Sequence, residues 1–131
     1  MNDREPKHLC DDLERSLDRL AEALAVSAEE PLVIDGTIQR FEFTFELFWR
    51  AVRRLLARQG IEAHSPKAVL QQAYRVAWLS DEPRWLKILE NRSLTSHTYR
   101  EQLALEIYGR IPDHHAALRA AFEGLQAQLR R

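Results

Sequence analysis

Residues 91–99 read Asn-Arg-Ser-Leu-Thr-Ser-His-Thr-Tyr, and three of them are of types that handle phosphate chemistry. Arg92 carries a planar guanidinium that can grip a phosphate through two bonds. Histidine is a side-chain type suited to general-base work, and His97 could take that role. Tyr99 brings a phenol within one helical turn of His97, while Ser93 and Ser96 place hydroxyls alongside. The spacing predicts that Arg92 ends one helix and that Thr98 caps the next, with Glu101 reaching back in a capping box. His97 would then sit at a helix N-terminus, where partial positive charge disfavours imidazolium and leaves a neutral base. Exposed N–H groups there would add capacity for an anion. The plainer alternative is that Arg92 and His97 merely cap two helix ends, and spacing alone leaves both readings open.

Other chemistries find no support. The sequence has no GxxxxGK[ST], GxGxxG, HExxH or GxSxG motif. A single cysteine, Cys10, excludes an internal disulfide and a cysteine-based zinc site, and it reads as a small buried apolar residue. His114 and His115 are adjacent and so point to different sides of a helix, a poor metal pair. No metal and no cofactor is expected.

The elements that must hold residues 91–99 are helical. Ala, Glu, Lys, Leu and Arg account for 67 of 131 residues, whereas Val and Ile together number 11. Leu9, Leu13, Leu17, Leu20 and Leu24 form one stripe, predicting a helix over about 7–27. Ile38, Phe41, Phe45, Phe48, Val52 and Leu55 alternate at steps of three and four, a seam that faces another helix. That helix, over about 32–59, would be roughly 40 Å long at ~1.5 Å per residue, with Gly60 as its stop. Its three phenylalanines read as core rather than a base-stacking platform. Trp49, one position off the seam, fits either the core or a subunit contact. Ser65 and Pro66 start a helix over about 66–78, and Ser80 caps a short one over about 81–91. The polar run 91–96 is expected to break it. The last helix carries Leu103, Ile107, Ile111, Leu118, Phe122, Leu125 and Leu129, and Pro112 should kink or restart it. The whole chain, 1–131, is thus expected to be one all-α domain, an up-and-down antiparallel bundle of four to five helices with a kinked last helix.

The formal charge of −1 argues at first against a nucleic-acid binder. It is a cancellation: residues 1–30 carry −5, and residues 40–58 and 84–100 carry +3 each, the latter including Arg92 and His97. No run of 18 apolar residues occurs and the N-terminus is polar, so neither a membrane span nor a secretory signal is expected, and the location expected is cytoplasmic.

The run from Gln39 to Arg50, QRFEFTFELFWR, resembles the FE-x-x-FEL-x-W signature of the nucleotidyltransferase substrate-binding proteins. Ser65-Pro66-Lys67, Trp85 and the segment from Arg92 to Tyr99 follow at that family's spacing, so the resemblance covers roughly residues 10–129. These proteins are similar to the HEPN superfamily and its HepT-type toxins, whose R-x4-H-x-Y motif is matched by Arg92, His97 and Tyr99. Ser93 departs from the asparagine or other strongly polar residue usual after the arginine, while keeping a hydrogen-bonding group. The resemblance implies a helical homodimer partnered by a minimal nucleotidyltransferase encoded nearby. It implies one of two roles. In one, the protein is a toxin with metal-independent ribonuclease chemistry by Arg92 and His97 in a dimer cleft, silenced when the partner adds AMP to Tyr99. In the other, it is a non-catalytic subunit that binds substrate, RNA or nucleotide, for the nucleotidyltransferase. A plain helical scaffold homodimer is the third possibility. Glu42 and Glu46, at i and i+4 in the signature, would face the cleft and help position the arginine; otherwise Glu46 and Arg50 form an ordinary surface pair.

Overall fold

A computed structural model describes the backbone of residues 4–129 and the side chains of 7–128. Five α-helices and one short 3-10 turn make up the described chain: α1 (Arg4–Leu24), α2 (Pro31–Arg58), α3 (Pro66–Arg75), α4 (Glu82–Leu94), the 3-10 turn (Thr95–His97) and α5 (Glu101–Leu129). Helices α1, α2 and α5 pack on one another, and α3, α4 and the 3-10 turn lie against α2. The expected all-helical bundle is what forms.

The apolar stripes explain the packing. Ile38, Phe41, Phe45, Phe48, Val52 and Leu55 are all buried, as are Leu13, Leu17 and Leu20 of α1. Ser16 meets Thr44 at 2.6 Å, and Arg40 donates to the Arg19 carbonyl at 2.7 Å. Residue numbers rise along one helix as they fall along the other, so α1 and α2 run antiparallel. Trp85 stacks on Phe48 with ring centroids 5.1 Å apart and brings α4 onto the seam. Leu129, the last residue of the α5 stripe, has its side chain outside the described residues.

Helix ends follow local chemistry. Ser65 accepts from the Ala68 N–H, and Pro66 opens α3 as expected. Gly60, at φ +77°, ends α2: its N–H bonds the Ala57 carbonyl and that of Ile61 bonds Leu56, the paired bonds of a Schellman stop. Ala77 takes the same position after α3 at φ 64°, with the Trp78 N–H on the Ala73 carbonyl, so α3 ends at Arg75 and not near 78. Helix α4 is preceded by Asp81 in the left-handed region, not capped by Ser80, and its Arg84 donates to the Asp81 carboxylate at 3.2 Å.

Two expectations around the site are corrected. The run 91–96 does not break α4, which continues to Leu94 and tightens into the 3-10 turn. Two of its hydroxyls bond back to the helix instead of breaking it: Ser93 to the Leu89 carbonyl at 3.0 Å and Thr95 to the Arg92 carbonyl at 2.7 Å. Thr98 does not cap α5. Its hydroxyl bonds the Thr95 carbonyl at 3.0 Å, and the first bond of α5 runs from the Ala104 N–H to the Arg100 carbonyl. Of the kink or restart expected at Pro112, the restart does not occur: α5 is one helix through Pro112, which lies on the exposed side next to the fully buried Ile111.

Candidate functional site

Arg92 lies in the last turn of α4, His97 ends the 3-10 turn, and Tyr99 sits in the connection to α5. Arg92 is half-buried. Its Nη1 donates to the Thr95 hydroxyl at 3.1 Å, and that hydroxyl donates in turn to the Arg92 carbonyl, which folds the side chain along its own helix end. The Nε of Arg92 is buried and has no hydrogen-bond acceptor. Among the described residues Arg92 pairs with no carboxylate. A guanidinium held by a neutral hydroxyl keeps its charge uncompensated, the condition for binding an anion from outside the chain.

His97 and Tyr99 are exposed, Tyr99 to 76%. Their rings meet edge to face at a centroid distance of 6.1 Å, and the Arg100 guanidinium lies 5.9 Å from the Tyr99 ring centre. The fold thus brings His97 and Tyr99 together. It does not put His97 at the start of α5, because residues 98–100 intervene and the first turn carries Glu101. The helix-dipole argument for a neutral His97 therefore has no basis in this geometry.

Glu46 accepts from the Trp49 indole N–H at 2.9 Å and pairs with Arg50 at 3.1 Å. That is the surface pair along α2, and among the described residues neither Glu42 nor Glu46 meets Arg92. Ser93 is turned back onto α4, and Ser96 is exposed beside His97. Cys10 is buried as expected, and burial pushes its thiol up to about 11. Among the described residues no cluster of His, Cys, Asp and Glu could hold a metal, and no helix is long and apolar enough to cross a membrane.

Behind Arg92 lies a buried polar contact that the sequence reading passed over. His114 Nε2 meets the Asn91 side-chain carbonyl at 2.7 Å, with both residues 4% exposed. The imidazole also stacks on Phe41, centroids 5.5 Å apart. Burial, reinforced by Arg110, holds the imidazole down at about 4, so at neutral pH the ring is uncharged and donates Nε2–H to Asn91. The register was there to be read: His114 stands three residues after Ile111 and four before Leu118, on the buried face of α5. His115 turns the other way and meets the Leu17 carbonyl at 3.0 Å.

Two grooves among the described residues lie elsewhere. One groove of about 670 Å³ runs between α1 and α2 beside Arg15, Arg40 and Phe43, and one of about 250 Å³ lies between α3 and α4 over Trp85. Arg92, His97 and Tyr99 line neither.

Residues 9–130 match the model of the family described as nucleotidyltransferase substrate binding protein like. The chain is 33% identical over 92 residues to the probable ribonuclease HepT of Haemophilus influenzae, an alignment covering 66% of this chain and 63% of that protein. It therefore spans just under two thirds of that relative's length. A crystal structure of a Thermus thermophilus protein superposes with a TM-score of 0.77 at 39% identity, covering 91% of this chain and 99% of the other. A Haemophilus influenzae structure, described as the fold of a substrate-binding domain of a nucleotidyltransferase, gives 0.67 at 25% identity over 99% and 100% of the two chains. The chain belongs to the nucleotidyltransferase substrate binding protein like family.

Proposed function

We propose that this protein is the helical partner of a minimal nucleotidyltransferase, and that it acts in the cytoplasm as the HepT-like toxin half of a toxin–antitoxin pair. The observation that carries this reading is Arg92: a guanidinium paired with no carboxylate among the described residues, five positions before an exposed histidine whose ring touches an exposed tyrosine. The exposed His97 and Tyr99 flank a half-buried Arg92, and none of the three lines the grooves described above. A second copy across them would close a composite cleft, which fits a homodimer.

In such a cleft His97 takes the proton of a ribose 2′-OH. The O2′–P bond forms, and Arg92 stabilises the charge that builds on the phosphorane oxygens. The P–O5′ bond then breaks, and the leaving oxygen is protonated. The products are a 2′,3′-cyclic phosphate and a 5′-hydroxyl. Silencing uses the same surface. The Tyr99 oxygen attacks the α-phosphorus of ATP, pyrophosphate leaves, and the tyrosine retains AMP. Because the Tyr99 ring already abuts His97, the added phosphate puts bulk and negative charge where RNA would bind.

The test is cleavage of single-stranded RNA by AMP-free protein in the presence of a chelator. Cyclic phosphate ends are expected, with loss of cleavage in Arg92→Ala and His97→Ala. Intact RNA with wild-type protein overturns the ribonuclease and favours the other reading, a non-catalytic substrate-binding subunit, which is how the fold of the Haemophilus influenzae structure is described. Failure to bind or be modified by a co-encoded nucleotidyltransferase would leave only a helical scaffold.

A further inference from the structure

We infer that His114 and Asn91 form a positioning device for Arg92, a buried polar pin that sets the rotation of α4 about its axis. The inference rests on the reading in which Arg92 meets the substrate phosphate.

Three observations converge. The first is chemical. The buried face of α5 runs through Ile107, Ile111, Leu118, Phe122 and Leu125, and at the one position between Ile111 and Leu118 it carries an imidazole. A buried polar side chain costs stability unless it is bonded, and an apolar side chain would fill the same place without that requirement. Directionality is what the polar pair adds. Apolar packing is non-directional, whereas the His114–Asn91 bond holds at one geometry.

The second is positional. Asn91 and Arg92 are neighbours on α4, so their side chains leave the axis about 100° apart, set by 3.6 residues per turn. Turning Asn91 inward to His114 fixes the direction in which Arg92 leaves the helix. The imidazole is itself held from a third side by Phe41, so α2, α4 and α5 meet at this one contact.

The third lies at Arg92. Its Nε is buried with no acceptor, and its guanidinium is held by the Thr95 hydroxyl in the next turn. Among the described residues no carboxylate holds the guanidinium in place, so its position depends on the backbone that carries it. A device that fixes that backbone while leaving the charge unpaired serves anion binding better than a carboxylate, which would fix the group and neutralise it together.

Three variants of the full chain test this. The double variant Asn91→Leu/His114→Leu replaces the pair with apolar side chains and so leaves neither partner of the pair unsatisfied. It should fold with a melting temperature no lower than wild type, yet lose about a hundredfold in kcat with KM little changed, the effect of misplacing a catalytic group. His114→Gln keeps a donor for Asn91 and should retain activity within a few-fold. Should the double variant not fold, His114→Met and His114→Gln are compared with each other, and equal kcat for the two overturns the inference. A folded double variant with wild-type kcat also overturns it.

A second readout does not need catalysis. The Arg92 Nε–H gives one amide-region NMR signal, assigned by its loss in Arg92→Lys, and it should exchange slowly with solvent. In the double variant it should exchange fast. If wild-type protein does not cleave RNA but this signal responds, the ribonuclease reading fails and the pin stands. If the signal is unchanged, the pin is refuted whatever the activity.

Discussion

Along α2, Phe41, Phe45, Phe48 and Val52 bury apolar surface with no polar atom to place, while at the junction of α4 with α5 the buried residues Asn91, Thr95 and His114 each make a hydrogen bond. The two regions touch at Phe41, whose ring lies on the His114 imidazole. The seam is held by close packing and the exclusion of water, with no directional bond to set. The junction allows only arrangements in which donors meet acceptors. A bundle needs the first kind of contact to exist, and a site needs the second kind to hold one side chain in one place. The segment that carries Arg92, His97 and Tyr99 grows from the junction.

The largest expected effect is on the seam. Phe45→Ala removes a ring that is 1% exposed, and should lower unfolding free energy by about 4 kcal/mol in urea titration. A loss near 1 kcal/mol would mean that the seam collapses around the gap and is less tightly packed than its burial implies.

Next comes pH, which should act on the junction and spare the seam. Folded His114 sits at about 4 against an ordinary 6.5, held down by burial first and then by Arg110, Arg84 and Lys87, with Asp113 opposing them. Above 6.5 the ring is neutral in both states and costs nothing. As pH falls from 6.5 towards 4 the unfolded chain takes up a proton that the folded chain does not, so stability drops. Below 4 the loss levels off at about 3 kcal/mol. His114→Gln should remove this part of the pH slope between 4 and 6.5. If the slopes of the two proteins coincide in thermal melts over that range, His114 is not the buried neutral group described.

Those two regions were unequally legible in the sequence. The seam could be read directly, because apolar residues at steps of three and four have one physical meaning on a helix. The junction could not, because polar residues have two. Asn91, Ser93 and Thr95 break helices when their side chains compete for the backbone in water, and they stay in helices when the fold gives them partners. Asn91 finds His114, 23 residues away in sequence, and that contact lies outside any local window. The same ambiguity misplaced the start of α5, since Thr98 had a carbonyl to bond at Thr95 and left the capping position. The motif of Arg92, His97 and Tyr99 was legible as spacing. The unpaired state of Arg92 and the contact between His97 and Tyr99 needed coordinates.

Thr95 tests the junction on a smaller scale. Thr95→Val keeps the shape and removes the hydroxyl that serves both Arg92 Nη1 and the Arg92 carbonyl. A loss of about 1 kcal/mol is expected, in the range of one hydrogen bond. Under the ribonuclease reading the fall in activity should exceed what that stability change accounts for. Activity that falls only as far as the folded fraction does would place Thr95 with the seam, as a residue that merely fills space.

The smallest effect expected is a gain, at a place remote from both regions. Helices α2 and α3 end in the same pair of backbone bonds, but α2 uses Gly60 at φ +77° and α3 uses Ala77 at φ 64°. An L side chain in the left-handed region costs roughly 1–2 kcal/mol. Glycine removes that cost and adds back about 0.5–1 kcal/mol of unfolded-chain entropy. Ala77→Gly should therefore stabilise the protein by about 0.5 kcal/mol, with a melting temperature one to a few degrees higher. The gain should add to the loss in Phe45→Ala, since the two sites share no partner. A drop in stability would show that the Ala77 methyl packs against something that offsets its strain, and the α3 end would then belong with the seam and not with the loops.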